Sequence, residues 1–354
     1  MEYRQLGRSG LRVSTLTLGT MGWGGRGNFA RVGTVDAAGA ARQVDLALDA
    51  GVNLIDTADV YSGGVAEEIV GEVLSQAGRR DRILVSTKAR QVTGPGPNDG
   101  GASRGYLIAA VEKALRRLRL DRLDIFYIHE WDGATPLEEQ LEALDTLVRA
   151  GRIRYLGCSN FTGWQTARAM GVAERHGYQP FVASQIFYSL QARDAEYELL
   201  PAAIDNGLGV HVWSPLAGGL MSGRFSRASG GLEGSRALSE WSEPPVRDPE
   251  QTLDVVDVLL DVAREQGVSG AQVALAWLLE RPGVSSLVVA GRTEEQLADN
   301  LASVNVRLTA EQRARLDEVS RLPLIYPYWH QLAGASERLS EADLALLKPY
   351  IDAR

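Results

Sequence analysis

Four polar residues with complementary chemistry stand at the ends of three consecutive apolar runs. Asp56 lies near the end of one run and Tyr61 three residues beyond it, Lys88 lies near the end of the next, and His129 ends the third. Because the carboxyl ends of neighbouring parallel strands meet at one edge of a barrel, these side chains are expected to lie together. An aspartate, a tyrosine, a lysine and a histidine in one place make a site that delivers a proton.

Tyrosine is the expected proton donor of this group. Its ordinary pKa is about 10 and that of lysine is about 10.4, so a nearby Lys88 ammonium should lower the pKa of Tyr61 towards the working pH. Asp56 would keep Lys88 charged and in position, and His129 would orient a carbonyl oxygen or share the proton.

Taken one at a time, each of these residues has a plainer explanation. Asp56 could cap a helix or form a turn, and Lys88 could be a side chain whose stem is buried and whose charge reaches water. His129 could be a structural histidine and Tyr61 a loop aromatic. The joint placement of the four favours chemistry.

Eight short apolar runs, which alternate with helix-length amphipathic segments, must position these residues. Each run is bounded by Gly, Asp or Pro, and several are rich in Val, Ile and Thr, as buried parallel strands are. The predicted strands are 15–21, 52–58, 83–89, 123–129, 153–159, 181–189, 208–215 and 284–291. Units of roughly 30–40 residues predict a (β/α)8 TIM barrel, with a doubly wound open sheet as the alternative.

Capping signals mark several of the predicted helices. Thr135, Pro136 and the two residues that follow read as a capping box with proline at the first helical position, for a helix that ends at Gly151. Thr293 and Thr309 open two more boxes of this kind.

Four segments interrupt the alternation of strands and helices. Residues 22–35, 93–101 and 216–250 follow predicted strands and so form long loops at the carboxyl end, where barrels carry their active sites. The fourth is the C-terminal tail after Ser320. At the other end, residues 3–13 predict an N-terminal β-hairpin that closes the barrel floor.

Composition narrows the class of protein. The chain has 354 residues, with 37 Lys and Arg against 45 Asp and Glu, a formal net charge of −8. This balance argues against nucleic acid or an anionic membrane as partner, and no apolar run approaches the ~18 residues of a transmembrane helix. The N-terminus lacks the apolar core of a signal peptide. Cys158 is the only cysteine, which excludes an internal disulfide and favours a reducing, cytoplasmic location. No linker composition divides residues 1–354, which predicts a single domain.

Two glycine-rich motifs fail on their context. Residues 22–27 match G-x-G-x-x-G, but about eight residues separate them from the next helical pattern, whereas a dinucleotide fingerprint opens a helix at once. Residues 218–225 resemble a phosphate-binding loop but lack its Lys and its Ser or Thr. Neither motif predicts nucleotide binding on its own.

Metal and glycosidase chemistry are also poorly supported. The four histidines, at positions 129, 176, 211 and 330, form no H-x-H or H-E-x-x-H pair, so no metal site is predicted. Glu130 follows one predicted strand but has no obvious facing carboxylate, which a glycosidase needs.

The sequence resembles the aldo-keto reductases over nearly its whole length. The matching segments are 6–11, 51–61, 85–88, 124–129, 157–160, 213–220 and 291–293, with Gln296 and Asn300. The resemblance implies a (β/α)8 barrel and NADPH-dependent carbonyl reduction, with Tyr61 as proton donor in a tetrad completed by Asp56, Lys88 and His129. Two positions depart from the family's usual residues, with Ala290 in place of Pro and Trp213 in place of Tyr.

The resemblance also implies where NADPH or NADP+ would bind. Ser159, Asn160 and Gln185 would hold the nicotinamide carboxamide, and Trp213 would stack on the ring. Arg292 would offer a guanidinium to the 2′-phosphate at the start of the helix in the last βα unit. The implied cofactor positions are Gly19, Thr20, Met21, Asp56, Ser159, Asn160, Gln185, Trp213, Ser214, Pro215, Leu216, Gly218, Leu220, Arg224, Gly291, Arg292, Thr293, Gln296 and Asn300.

The function implied is an NADPH-dependent oxidoreductase that reduces an aldehyde or ketone to an alcohol, in a reversible reaction. The alternative is an NADP(H)-binding regulatory module like the potassium-channel β subunits, which resemble this family. The chain begins almost at the barrel, so no N-terminal effector segment is expected. The substrate, the physiological direction and the oligomeric state are not indicated by the sequence. Tyr326, Tyr328 and Trp329 in the tail suggest an apolar lid or, equally, packing.

Overall fold

The computed structural model describes residues 1–76, 78–231 and 243–352. Eight parallel strands close into a barrel in the order β10-β3-β4-β5-β6-β7-β8-β9. They are β3 (Leu16–Gly19), β4 (Leu54–Asp56), β5 (Leu84–Ala89), β6 (Leu123–Ile128), β7 (Ile153–Ser159), β8 (Phe181–Phe187), β9 (Gly209–Trp213) and β10 (Val284–Val289). Every predicted run contains one strand, and β10 pairs with both β9 and β3. The barrel prediction is confirmed and the open sheet is wrong.

The helices form the layer outside the barrel. They are α1 (Ala37–Asp49), α2 (Val65–Leu74), α3 (Arg104–Leu118), α4 (Leu137–Arg149), α5 (Gly163–His176), α6 (Leu199–Asp205), α7 (Pro249–Gln266), α8 (Gly270–Leu279), α9 (Glu294–Ala302), α10 (Ala310–Val319), α11 (Tyr328–Gly334) and α12 (Glu341–Ile351). The buried apolar side chains of α1 to α10 share one large core with the outward faces of the strands, and those of α11 and α12 form a separate cluster. Because β6 is covered on both faces, all six of its residues are buried, and its sequence is almost continuously apolar.

The three predicted capping boxes have three different outcomes. The Thr309 box is confirmed in both directions. Thr293 accepts from the Gln296 N–H, but the Gln296 side chain accepts from the Arg292 N–H rather than from the cap residue. The Thr135 box is wrong, because Pro136 is the cap residue and the Thr135 hydroxyl donates to the Asp132 carboxylate at 2.8 Å.

The N-terminal hairpin closes the amino end of the barrel, as predicted. β1 (Tyr3–Gln5) and β2 (Arg12–Ser14) pair antiparallel. Leu6 and Val13 are fully buried in a cluster with side chains from inside β4, β6 and β8. Gly7 has φ +55°, and a Cβ there would lie 2.5 Å from two backbone oxygens of the barrel. The hairpin is therefore fitted tightly against the barrel floor.

The aromatic tail packs beside the barrel, against the connection between β8 and α6. The Tyr328 ring stacks on Tyr197 with centroids 5.8 Å apart, and its hydroxyl donates to the Tyr197 carbonyl at 2.7 Å. α12 packs on α6. Within the described ranges, no residue of the tail lines the large cavity at the carboxyl end. The lid interpretation is therefore wrong and the packing interpretation holds.

No helix in the described part of the chain combines the length and the apolar character needed to cross a bilayer. That residues 1–354 form a single domain stays a prediction.

Candidate active site

A cavity of about 1000 Å³ opens at the carboxyl ends of the strands. Of the predicted catalytic and cofactor residues, those that line it are Gly19, Thr20, Met21, Asp56, Tyr61, His129, Ser159, Asn160, Gln185, Trp213, Ser214, Pro215, Leu216, Gly218, Arg224, Gly291, Arg292, Gln296 and Asn300. Three others do not line it. Lys88 is buried beneath the cavity floor, Leu220 is buried in the apolar core, and Thr293 caps α9.

Lys88 is held by Asp56 and stands close to Tyr61. Its ammonium forms a buried ion pair with the Asp56 carboxylate and donates to the Thr57 carbonyl at 3.0 Å. The Lys88 Nζ lies 5.2 Å from the centroid of the Tyr61 ring. Tyr61 in turn meets His129 edge to face, with ring centroids 6.1 Å apart. The four side chains that the sequence predicts to converge therefore do so.

The charge states of Lys88 and Tyr61 follow from burial and from their neighbours. Burial lowers the pKa of Lys88, but the Asp56 carboxylate and the Tyr61 hydroxyl together outweigh burial and hold the pKa above its ordinary value, so Lys88 stays charged. Burial raises the pKa of Tyr61, and the Lys88 ammonium opposes it only in part. The expected lowering of the Tyr61 pKa is thus wrong in its net direction, because desolvation of a phenolate exceeds the attraction of one ammonium that is already paired.

His129 is neutral at every pH near neutrality. Burial, reinforced by the charges of Lys88 and Arg90, lowers its pKa to about 3. Its Nδ1 is buried and has no hydrogen-bond partner among the described residues. A neutral imidazole offers one N–H donor and one acceptor, so His129 can orient a ligand oxygen but cannot supply a positive charge.

A short left-handed segment brings Tyr61 to the cavity. Tyr61 begins a 3-10 turn, and Ser62 behind it has φ +52°, a conformation that few residues other than glycine adopt. The buried Ser62 hydroxyl donates to the Trp23 carbonyl at 2.8 Å and accepts from the Gly25 N–H at 3.0 Å. This pair of bonds fixes Tyr61 against the loop at 22–35, whose Phe29 ring packs on Tyr61 at 5.6 Å.

Two donors, of which the sequence reasoning missed one, orient Asp56. The Ser86 hydroxyl donates to Asp56 Oδ1 at 2.7 Å, and the Gln185 amide donates to the same oxygen at 3.1 Å. Oδ2 is left for Lys88. Ser86 lies two residues before Lys88 on β5, so the two share the inner face of the barrel. That alternation was the signal that could have identified Ser86.

A second hydrogen-bonded chain joins Trp213 to the strand that carries His129. The Trp213 indole donates to Asn160 Oδ1 at 2.9 Å, and Asn160 donates to the His129 carbonyl at 3.1 Å. Asn160 has φ +59°, so its backbone is held in the left-handed region at the end of β7. Trp213 is only partly buried, and its indole ring is held in place at the cavity wall.

The loop after β9 provides a wall built from backbone. Ser214, Ala217, Gly218 and Gly219 all have positive φ, and a Cβ at Gly219 would meet nothing within 4 Å. Arg224 and Arg292 also line the cavity, each with an exposed side chain. Two cations and a tightly turned backbone suit an extended anion, while Trp213 and the unpartnered His129 nitrogen suit a flat polar ring. The residues present therefore fit a nicotinamide dinucleotide.

The glycine-rich motif at residues 22–27 behaves as its context predicts. After residues 22–27 the chain makes a short 3-10 turn, and α1 begins only at Ala37, so no helix N-terminus follows the motif. Phe29 and Val32 of this loop instead line the cavity. No sequence signal identified them, because a glycine-rich loop has no periodicity. In the described ranges, no three His, Cys, Asp or Glu side chains are grouped as a metal site requires.

Comparison with known proteins gives the family. The aldo/keto reductase family model matches residues 15–321, and the chain belongs to this family. It is 38% identical over 328 residues to the uncharacterized oxidoreductase YrpG of Bacillus subtilis, covering 90% of this chain and 96% of that protein. It is 32% identical over 351 residues to versiconal hemiacetal acetate reductase of Aspergillus parasiticus, covering 92% and 99%.

Another relative, of similar sequence identity, is named as a channel subunit rather than as an oxidoreductase. The chain is 36% identical over 309 residues to a probable voltage-gated potassium channel subunit beta of Arabidopsis thaliana, covering 86% of this chain and 92% of that protein. The family and its oxidoreductase members support oxidoreduction as the general chemistry of the fold.

Proposed function

We propose that this protein is an NADPH-dependent reductase that converts an aldehyde or ketone to an alcohol, and that also runs in reverse. One observation carries the proposal: a charged Lys88, locked by Asp56, lies behind a protonated Tyr61 at the floor of a cavity that fits a dinucleotide.

Each residue of the floor has a distinct role in this proposal. Tyr61 holds its proton at neutral pH because its pKa is raised, and it gives that proton to the carbonyl oxygen. Lys88 stabilises the phenolate left behind. His129 orients the same oxygen through its neutral ring. When bound, the dinucleotide supplies the hydride that adds to the carbonyl carbon.

The choice of NADPH over NADH rests on Arg292. Its side chain is exposed at the cavity wall, and within the described residues it forms no ion pair, whereas Arg42 nearby pairs with Glu294. A free guanidinium is suited to bidentate binding of a phosphate such as the 2′-phosphate. The single-cysteine composition supports a cytoplasmic setting.

A regulatory binding module is the second candidate. It is favoured by the similarity to channel β subunits, which is close to that of the oxidoreductase relatives. A module that only senses the cofactor would bind NADPH tightly and consume at most one equivalent. An enzyme would consume many equivalents at a steady rate.

The test is NADPH consumption, followed by absorbance, across a panel of aliphatic and aromatic aldehydes and ketones. We expect many turnovers with at least one carbonyl compound and no consumption without one. Consumption that stops at one equivalent for every compound would favour the regulatory module. If the protein neither consumes nor binds NADPH, the cofactor assignment is wrong as well.

The linkage between Lys88 and Asp56 can be tested separately. Lys88→Met removes the charge next to Tyr61, and Asp56→Asn removes the group that holds that charge. Because they act as one unit, the double variant should be little worse than the worse single variant. If the two losses in kcat multiply, the ion pair does not act through Tyr61.

A further inference from the structure

A second cavity, of about 600 Å³, lies at the amino end of the barrel. It is bounded by β2 of the hairpin, the turn before β5, the connection from α3 to β6, and β7. Six arginines and three aspartates line it, an excess of three positive charges in a chain whose formal net charge is −8. The arginines are Arg12, Arg80, Arg82, Arg119, Arg122 and Arg154.

One of the three aspartates is part of the framework. Asp124 is buried, and its carboxylate accepts from Arg80 at 3.2 Å, from Arg154 at 3.1 Å and from the Val85 N–H at 2.9 Å. These three donors occupy most of its roughly four acceptor sites within the protein. Asp124 therefore fixes two arginines as parts of the cavity wall.

The other four arginines are not neutralised. In residues 1–76, 78–231 and 243–352, Arg12, Arg82, Arg119 and Arg122 make no ion pair with any carboxylate. The first three each have one hydrogen bond to a carbonyl or hydroxyl oxygen, out of five donors per guanidinium. Most of their donors therefore remain free for a ligand.

The backbone conformation of Arg119, in the wall of this cavity, carries a cost in stability. Arg119 ends α3 with φ +54°, at a position where helices usually place glycine. An arginine here accepts left-handed strain, and the sharp turn that results places Arg119 and Arg122 in one wall. Four separate connections thus converge on one concave, positively charged surface.

We propose that this cavity binds a small molecule that carries a chain of two or more phosphate groups. Guanidinium forks match phosphate oxygens bidentately, and several of them around a concavity match a multiply charged anion better than a single carboxylate. A phosphate chain occurs both as free polyphosphate and in nucleoside triphosphates. The cavity offers the same arginines to either, so the experiment separates these sources.

Isothermal titration calorimetry with sodium tripolyphosphate, ATP and AMP tests the proposal. Arg82→Gln/Arg122→Gln removes two exposed, unpaired arginines of the cavity. Arg168→Gln/Arg175→Gln, on the exposed face of α5, is the control with the same change of charge. We expect tripolyphosphate to bind wild-type protein, with at least ten-fold weaker binding in the first variant and less than two-fold weaker binding in the control. AMP should bind far more weakly than either polyphosphate.

A third variant, Arg224→Gln/Arg292→Gln, tests whether the probes bind instead in the large cavity at the carboxyl end. If only this variant weakens binding, or if all variants weaken it equally, the proposal is wrong. It is also wrong if no probe binds at millimolar concentration. Equal affinity for ATP and tripolyphosphate supports recognition of the phosphate chain alone, and stronger binding of ATP supports a nucleotide as the source. Because the readout is binding heat, a failure to reduce carbonyl compounds leaves this test unchanged.

Discussion

The two ends of this barrel differ in the partners and charges of their buried polar groups. At the amino end, Asp124 accepts hydrogen bonds from three protein donors. At the carboxyl end, His129 Nδ1 is buried with no partner among the described residues, and Lys88 is charged although it is buried. The difference is that Asp124 at the amino end is satisfied by the protein itself, and so is Lys88 through Asp56, whereas the protein provides no partner for His129 Nδ1 among the described residues.

The backbone shows the same contrast. Among the described residues other than glycine, five with positive φ follow strands at the carboxyl end, namely Ser62, Arg90, Asn160, Ser214 and Ala217, and Arg119 stands at the other end. Such conformations cost about 1–3 kcal/mol each and are retained where they position a site. Among the described residues, strained backbone outside glycine is therefore concentrated at the carboxyl end, around the large cavity.

The largest expected effect is the loss of the Tyr61 hydroxyl at the carboxyl end, compared with the loss of a tyrosine hydroxyl at the amino end. Tyr61→Phe should lower kcat by ~10²–10⁴, because the carbonyl oxygen loses its proton donor, while NADPH still binds. Tyr3→Phe, which removes a hydroxyl that bonds the Gly51 carbonyl at the amino end, should change kcat less than two-fold. Steady-state rates of NADPH consumption decide this, and near-normal turnover by Tyr61→Phe would refute the assignment of the acid.

The buried side chain of Asp59, at the carboxyl end of the barrel, should make the free energy of unfolding depend on pH. Burial and the neighbouring Glu67 raise the pKa of Asp59 from 3.8 to about 7, while Tyr106 donates to it at 3.2 Å. Between about pH 4 and 7 the native state therefore binds a proton that the unfolded chain has lost, so this group makes stability fall as pH rises. Above about pH 7 its contribution is constant.

Asp59→Asn removes that titration. Relative to wild type, its free energy of unfolding should rise by up to about 4 kcal/mol between pH 4 and pH 7.5, as measured by urea denaturation. Asp121→Asn, at an exposed position of the amino end, should show no such trend. A difference for Asp59→Asn that stays the same at both pH values would mean that the carboxyl is not held protonated.

The cofactor prediction concerns the wall of the large cavity. Arg292→Ala should weaken NADPH binding roughly ten- to a hundred-fold, because a charge-assisted contact is worth ~1.5–3 kcal/mol, and should leave NADH nearly unchanged. Quenching of Trp213 fluorescence measures both dissociation constants. Arg168→Ala is the matched control on α5. An equal loss for both cofactors would show that Arg292 does not distinguish the 2′-phosphate.

The smallest effect is expected at the amino end. Asp124→Asn weakens two charge-assisted bonds but leaves an oxygen for the Val85 N–H, and both arginines retain access to water. The free energy of unfolding should fall by about 1–2 kcal/mol, with kcat within two-fold of wild type. Asp56→Asn should do the reverse and affect kcat more than stability. A large loss of kcat in Asp124→Asn would remove the distinction between the two ends.

Much of the fold and of the candidate site could be predicted from the sequence. Asp56, Lys88 and His129 were placed correctly because each stands at the end of an apolar run, and strand ends are local features. Phe29 and the bond from Trp213 to Asn160 were not found, because no periodicity links a loop to a barrel or joins residues 53 positions apart. The aromatic residues of the tail leave a lid and packing equally open, since they show that a segment packs but not against what.

By itself the sequence determined the eight strands and which polar residues reach their ends, because apolar runs and their boundaries are properties of neighbouring residues. Whether those strands close into a barrel or form an open sheet was decided by the pairing of β10 with both β9 and β3. Only the tertiary structure decided the net direction of the Tyr61 pKa, since burial by distant elements outweighs the nearest ammonium. It also decided that six arginines spread from position 12 to position 154 share one cavity. Desolvation and the convergence of charges depend on how separate elements pack, and no local pattern records that.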